Sequence, residues 1–211
     1  MYICRVRVVR SATVYTQERC TQVEKRMKYL LKNQETERIL FREIRKSDFN
    51  VWLEFHKNLN TSQHWLSELE SPEIECENWY EKQFYRYENN LGGMNALIEK
   101  ETGKLIGHCG LLMQNVDKIP ELEIGYSLLS EFWNKGFATE AAKKCKDFAF
   151  ENNLSNSIIS IISLTNKPSE RVALKNGMKI DKVTEYNGNK VNIYRIDKTE
   201  WKNKTCVQQK I

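Results

Sequence analysis

One stretch limits the architecture of this chain more than any other: residues 121–142, ELEIGYSLLSEFWNKGFATEAA. Leu122, Ile124, Tyr126 and Leu128 alternate with Glu121, Glu123, Gly125 and Ser127, the period-two signature of a strand. A polar turn over 131–136 follows. From Ala138 onward, Ala141, Ala142, Cys145, Phe148 and Ala149 recur at helical spacing. A strand that passes through Gly136 straight into a helix points the unpaired N–H groups of the first turn, and the positive end of the helix dipole, at one spot beside the sheet. The amides of 134–139 can hold a pyrophosphate there, with Lys135 adding a formal charge. The turn is not a Walker loop, because G-x-x-x-x-G-K-[ST] is absent. Its single glycine also rules out a dinucleotide fingerprint. On these residues alone, an ordinary strand-to-helix turn accounts for the stretch equally well.

The remaining pattern supplies the sheet around it. Ile39–Ile44 reads as a first strand, and Ser47 as the cap of a helix carrying Phe49, Trp52, Leu53 and His56. Ser71-Pro72 opens a second helix with Ile74, Cys76, Trp79, Tyr80, Phe84 and Tyr87 on its apolar face, closed by Asn89–Gly93. Met94–Glu99 and Leu105–Leu111 form a hairpin, and Gln114–Pro120 reads as a loop. Ser157–Leu164 is apolar without alternation, as a strand covered on both faces would be. Asn166–Asn176 is a short helix stopped by Gly177. Lys179–Thr184 and Val191–Ile196 flank the hairpin turn Asn187-Gly188. This order predicts an α/β protein with a mixed sheet and helices on both faces. We expect one domain over 27–201, a basic extension over 1–26 outside it and a polar tail over 202–211.

Composition narrows the function classes. The formal net charge is +5, from 33 basic and 28 acidic residues, which permits an anionic ligand without requiring nucleic acid. No apolar run approaches the ~18 residues of a membrane span. The six cysteines form no C-x-x-C pair, and we read them as reduced thiols of a cytoplasmic protein, monomeric or homodimeric. His56, His64 and His108 show no metal-ligand spacing, so no metal is expected. Arg5, Arg7 and Arg10 precede the first acidic residue, Glu18. A secretory signal lacks its apolar region here. A transit peptide, a basic arm on nucleic acid and an upstream extension with Met27 as the functional start stay open, and we favour the last.

Trp133-Asn134-Lys135-Gly136-Phe137-Ala138-Thr139-Glu140-Ala141 resembles the acetyl-CoA turn of the GCN5-related N-acetyltransferase (GNAT) superfamily, whose pattern is [Q/R]-x-x-G-x-[G/A]. The branch most similar is that of the ribosomal-protein N-terminal acetyltransferases, where W-G-K-G-Y-A-T-E-A is typical. Trp133 stands at the Gln/Arg position. Asn134 replaces a glycine, and asparagine tolerates left-handed geometry better than most residues. Residues 36–42, 103–107, 123–126, 166–169 and 175–178 resemble further segments of that branch in the right order, over 36–201 in all.

The resemblance implies acetyl-CoA as co-substrate and a primary amine as acceptor, attacking the thioester directly. It implies a pantetheine arm along Tyr126, Leu128 and Leu129, in a gap where two strands splay. It puts the pyrophosphate on Asn134, Lys135, Gly136, Phe137, Ala138 and Thr139, with Trp133 also in the cofactor site, Asn166 on the arm and Ser169 near the sulfur. The amine must lose a proton, at about 1 kcal/mol at pH 7 for an α-amine of pKa ~7.8 and about 4.6 for a lysine of ~10.4. Glu123 is the candidate general base, Glu121 its alternate, and Ser169 the candidate proton donor to the thiolate. An N–H near Leu128 would face the oxyanion. The acceptor is expected to be a protein N-terminus. An aminoglycoside or polyamine is the rival, kept open by Glu68, Glu70, Glu73, Glu75 and Glu77. A cofactor-binding module without catalysis is the third reading. Trp65, Tyr80 and Tyr87 are pocket candidates, with core packing the default, and His108 is expected to make a half-buried polar contact.

Overall fold

A computed structural model of the chain describes residues 28–62 and 70–208. The expectations for 1–26, Met27, His64, Trp65 and Glu68 lie outside the described residues. Strands β1 (Ile39–Glu43), β2 (Gly92–Glu99), β3 (Leu105–Val116), β4 (Ile119–Leu128), β5 (Ser157–Ser163), β6 (Lys179–Tyr186) and β7 (Asn189–Asp197) make one sheet in the order β1-β2-β3-β4-β5-β7-β6. Every neighbouring pair is antiparallel except β4 and β5. The helices are α1 (Phe49–Lys57), α2 (Leu59–Ser62), α3 (Pro72–Glu88), α4 (Phe137–Glu151), α5 (Lys167–Lys175) and α6 (Lys198–Gln208).

Strand β3 shows why helices cover both faces, since adjacent strand residues point opposite ways. His108 meets Trp52 of α1 and Trp79 of α3, at ring distances of 4.2 and 4.7 Å. Cys109, its neighbour, puts its sulfur 3.5 Å from that of Cys145 on α4. The expected α/β mixed sheet is therefore the one observed. Cys76, Cys109 and Cys145 are free and buried.

Three local expectations need correction. Ser47 does not cap the first helix. It lies in a short 3-10 turn, Lys46–Asp48, and Asp48 precedes α1. The Asp48 carboxylate accepts from the Arg45 N–H at 2.9 Å and from both terminal nitrogens of Arg42 at 2.7 Å, so the two strand-end residues tie the turn down. Gln114–Pro120 is not a loop: β3 and β4 continue through it to a two-residue hairpin at Asp117-Lys118, both with positive φ (51° and 68°). That is the turn geometry that matches strand twist, and no glycine signals it in the sequence. Gly92 and Gly93 open β2 rather than ending the helix before it. A last helix, α6, runs from Lys198 to Gln208, into the stretch that the sequence reads as a polar tail. The Ser71 cap on the Ile74 N–H, the Asn166 cap and the Asn187-Gly188 turn stand where the sequence places them.

Candidate active site

The site begins where β4 and β5 part. Their parallel pairing is confined to Glu123 and Ile159. Beyond that pair the strands splay, and backbone groups facing the gap need other partners. Two are satisfied by side chains: the Ser160 hydroxyl donates to the Ile124 carbonyl at 3.1 Å, and the Glu123 carboxylate accepts the Ile161 N–H. Within a strand the N–H and C=O of one residue face the same edge, so Ile124, Tyr126 and Leu128 all turn their backbone to the gap. The Leu128 carbonyl is taken by the Trp133 indole N–H at 2.7 Å, which leaves its amide facing the gap. Leu129 faces the other way, its N–H donating to Ile106 at 3.0 Å.

The turn after β4 has the shape that an anion site needs. Asn134 takes φ 59° and Gly136 takes φ 86°, so the asparagine adopts the left-handed conformation that a glycine would. The first helical backbone bond runs from Glu140 to Gly136. The N–H groups of Phe137, Ala138 and Thr139 therefore have no acceptor within α4. A clamp behind the turn holds it. Arg38 pairs with Glu140 at 2.6 Å, donates to the Lys135 carbonyl at 3.0 Å and stacks on Phe137 at 4.3 Å. Thr36 also donates to Glu140, at 2.5 Å. Burial pushes the Glu140 carboxyl up, but the bonds from Thr36 and Arg38 outweigh it and hold the group below its ordinary range.

Two cavities meet at this point. One, of about 380 Å³, lies between the turn and α5, lined by Leu128, Trp133, Asn134, Gly136, Phe137, Ala138, Thr139 and Pro168. The other, of about 260 Å³, lies between α3 and the sheet, lined by Trp79, Lys82, Arg86, Gln114, Glu123 and Ser160 among others. Tyr126, Ser127, Asn166 and Ser169 line both and form the junction. At this junction the Tyr126 hydroxyl donates to the Ser169 carbonyl at 3.0 Å, and the Asn166 side chain accepts the Ser169 N–H at 3.0 Å. Burial raises the Tyr126 phenol, which stays protonated.

The structure thus brings together Glu123, Ser169, Tyr126, Leu128, Trp133, Asn134, Gly136, Phe137, Ala138, Thr139 and Asn166. Leu129 and Lys135 line neither cavity, and the Lys135 ammonium rests over the Phe132 ring at 5.2 Å. Glu121 is tied to Arg195 by bonds of 2.7 and 3.1 Å, away from both cavities. Tyr80 and Tyr87 belong to the core. Among the described residues His108 has no hydrogen-bond partner: it is wholly buried against Trp52 and Trp79, and desolvation drives its pKa down to about 3. The sequence reading missed Arg38, Arg86 and Gln114. For Arg86 the available signal was a charge at position 86 on the helix face that also carries Cys76, Tyr80 and Gln83, all buried.

The comparisons with known proteins agree with this geometry. A family model described as the acetyltransferase (GNAT) domain matches residues 38–179. The chain is 37% identical over 84 residues to YkkB of Bacillus subtilis, covering 40% of this chain and 49% of that protein. It is 30% identical over 138 residues to the N-acetyltransferase p20 of Bacillus licheniformis, covering 54% and 76%. The chain thus spans about half the length of the first of these relatives. Among solved structures, the ribosomal-protein-S5-alanine acetyltransferase of Vibrio fischeri superposes with TM-score 0.62 at 19% identity, covering 80% of this chain and 97% of that one. A ribosomal L7/L12 α-N-protein acetyltransferase, solved with coenzyme A, superposes with TM-score 0.61 at 16% identity, covering 78% and 97%. These two likenesses concern the fold. With the family match spanning the strand splay, the left-handed turn and the helix that follows, the chain belongs to the GNAT family of acetyltransferases.

Proposed function

We propose that this protein transfers the acetyl group of acetyl-CoA to a primary amine, and that the amine is a protein or peptide N-terminus. The observation that carries the reading is the junction: a lobe bounded by the left-handed turn and a lobe in which Glu123 is the one carboxylate among the described residues open onto the same residues, Tyr126 and Ser127. The larger lobe fits the co-substrate in kind. Asn134, Gly136, Phe137, Ala138 and Thr139 would hold its pyrophosphate, and the gap-facing backbone of Tyr126 its amide-bearing arm, which leads to the Leu128 N–H. When bound, acetyl-CoA supplies an activated thioester.

The chain's own residues do the rest. Glu123 accepts the proton of the ammonium, directly or through a water. Burial raises its pKa above the ordinary carboxylate range, against the opposing hydrogen bonds of Gln114 and Ile161. A carboxylate moved upward is a stronger base at neutral pH. The Leu128 N–H faces the gap where negative charge would develop on an acyl oxygen. Ser169, held at its backbone by Asn166 and Tyr126, stands at the junction as proton donor to the leaving sulfur.

Charge in the smaller lobe supports a peptide amine over a polycation. Among the described residues, Lys82 and Arg86 line it beside a single carboxylate, Glu123. Glu70, Glu73, Glu75 and Glu77 line neither lobe. An α-amine also asks least of the base. The acceptors named for the two solved structures, an alanine of ribosomal protein S5 and the α-N of ribosomal L7/L12, agree with a protein acceptor.

The test is thiol release from saturating acetyl-CoA across free-N-terminus peptides, the same peptides N-blocked with a lysine, polyamines and aminoglycosides. Turnover of the free-N-terminus peptides alone is expected. Turnover confined to polyamines or aminoglycosides overturns the acceptor. Thermal stabilisation by acetyl-CoA with no turnover anywhere overturns catalysis in favour of a binding module.

A further inference from the structure

Two carboxylates stand two residues apart on β4, Glu121 and Glu123, with side chains on the same face. Each has an arginine in its neighbourhood. Arg195 grips Glu121 directly, with its two terminal nitrogens on the two carboxylate oxygens at 2.7 and 3.1 Å. Arg86 does not touch Glu123. Gln114 of β3 stands between them: its amide nitrogen donates to Glu123 Oε2 at 2.7 Å, and its amide oxygen accepts from Arg86 Nη2 at 2.9 Å and from the Tyr186 hydroxyl at 3.0 Å.

We infer that Gln114 is a positioning residue for the base, and that Arg86 and Tyr186 act through it. The inference rests on Glu123 as the base. The amide has one workable orientation. Arg86 can only donate, so Gln114 must turn its oxygen toward the guanidinium, which leaves its NH2 toward Glu123. Arg86 is itself immobile: it is buried, and Nη1 donates to the carbonyls of Leu91 (3.2 Å) and Met113 (3.1 Å). Helix α3, strand β3 and strand β6 thus fix the direction in which a residue of β4 presents its carboxylate.

Inserting a neutral amide has a chemical consequence. A guanidinium paired directly with Glu123, as Arg195 is with Glu121, would stabilise the anion strongly and weaken it as a base. An amide donor fixes one oxygen in place yet gives the anion only one neutral hydrogen bond. Burial raises the pKa of Glu123, and Gln114 limits the rise. Gln114 thereby orients the carboxylate and tempers its basicity, while burial supplies the upward push.

The decisive measurement is a carbon-13 titration of glutamate carboxyl groups in the full chain, with the Glu123 signal assigned as the one missing from Glu123→Gln. In Gln114→Met the Glu123 midpoint is expected to rise by on the order of one pH unit, the worth of one hydrogen bond to a charged group. In Tyr186→Phe, where Arg86 still orients the amide, the midpoint is expected to rise by less. Acetyl-CoA affinity should stay within about twofold of the parent in both. Tyr186→Phe keeps the proposal testable if Gln114→Met fails to fold. A Glu123 midpoint that stays put or falls in the folded variants overturns the role of Gln114, whatever the activity. Full turnover in Glu123→Gln overturns the base reading instead, and the positioning role with it.

Discussion

The two lobes of the cleft are built from different material. At its turn the cofactor lobe presents main chain: the left-handed residues Asn134 and Gly136, the first amides of α4 and the open edge of β4, with Arg171 and Lys175 of α5 also on its lining. Within the turn itself, few side chains need a particular identity beyond the ability to take that path. The acceptor lobe presents side chains drawn from separate elements. Arg86 comes from α3, Gln114 from β3, Glu123 from β4 and Ser160 from β5. Main chain binds what every donor thioester shares, whereas side chains discriminate and move protons. The difference predicts that substitutions in the two lobes affect different kinetic constants.

The largest effect belongs to the acceptor lobe. Glu123→Gln keeps the shape and the Gln114 contact within reach of an amide flip, but removes the base. The expected result is a fall in kcat on the order of 10²- to 10⁴-fold, with acetyl-CoA affinity measured by calorimetry unchanged within about twofold. In the parent, the base works only when deprotonated. Turnover should therefore rise with pH through the Glu123 pKa, and burial puts that limb above the range of an exposed glutamate. The variant should lose the limb. If affinity for acetyl-CoA falls as steeply as kcat, the two lobes are not separable.

Gly136→Ala tests the other side with an intermediate effect. At φ 86° an alanine carries left-handed strain of about 1–2 kcal/mol, and its Cβ would stand 3.3 Å from Arg38 Nη2. The turn can relax only by moving the amides away from the pyrophosphate. The expected result is roughly tenfold weaker acetyl-CoA binding, since ~1.4 kcal/mol is tenfold, with kcat at saturating acetyl-CoA near the parent value. A collapse of kcat at saturation would show that the turn also sets the chemistry.

The same contrast explains what could be read from the sequence. Gly136 and the alanine stripe after it are local and contiguous, so a strand-turn-helix pattern placed them within a residue of where they stand. The covered apolar run at 157–164 marked a central strand, whereas its splay from β4 followed only from the family resemblance. The Arg86–Gln114–Glu123 chain was not legible. Its members are separated by 28 and 9 positions, and nothing local distinguishes a glutamine that orients a carboxylate from one in a loop. Reading Gln114–Pro120 as a loop made the omission certain, since it removed Gln114 from the strand that faces Glu121. His108 failed for a related reason: alternation put it on a strand face, but only the packing of Trp52 and Trp79 shows that no polar partner waits there.

The smallest effect is the sharpest test of a backbone-built lobe. Asn134 already holds φ 59°, so replacing it with glycine changes no dihedral that the turn requires. Asn134→Gly removes a side chain that lines the cavity and adds conformational freedom to the unfolded chain, which costs about 0.4–1 kcal/mol of stability. Acetyl-CoA affinity is expected to move by less than about twofold, with a slightly lower melting temperature. That result would mean that the lobe reads only the path of the main chain, and that asparagine and glycine are equivalent ways of making it. A tenfold gain in affinity would mean that the Asn134 side chain crowds the pyrophosphate, and a tenfold loss that its amide contacts it. Either outcome would give this lobe a side-chain determinant of the kind otherwise confined to the acceptor lobe, and the division of labour between the lobes would no longer hold.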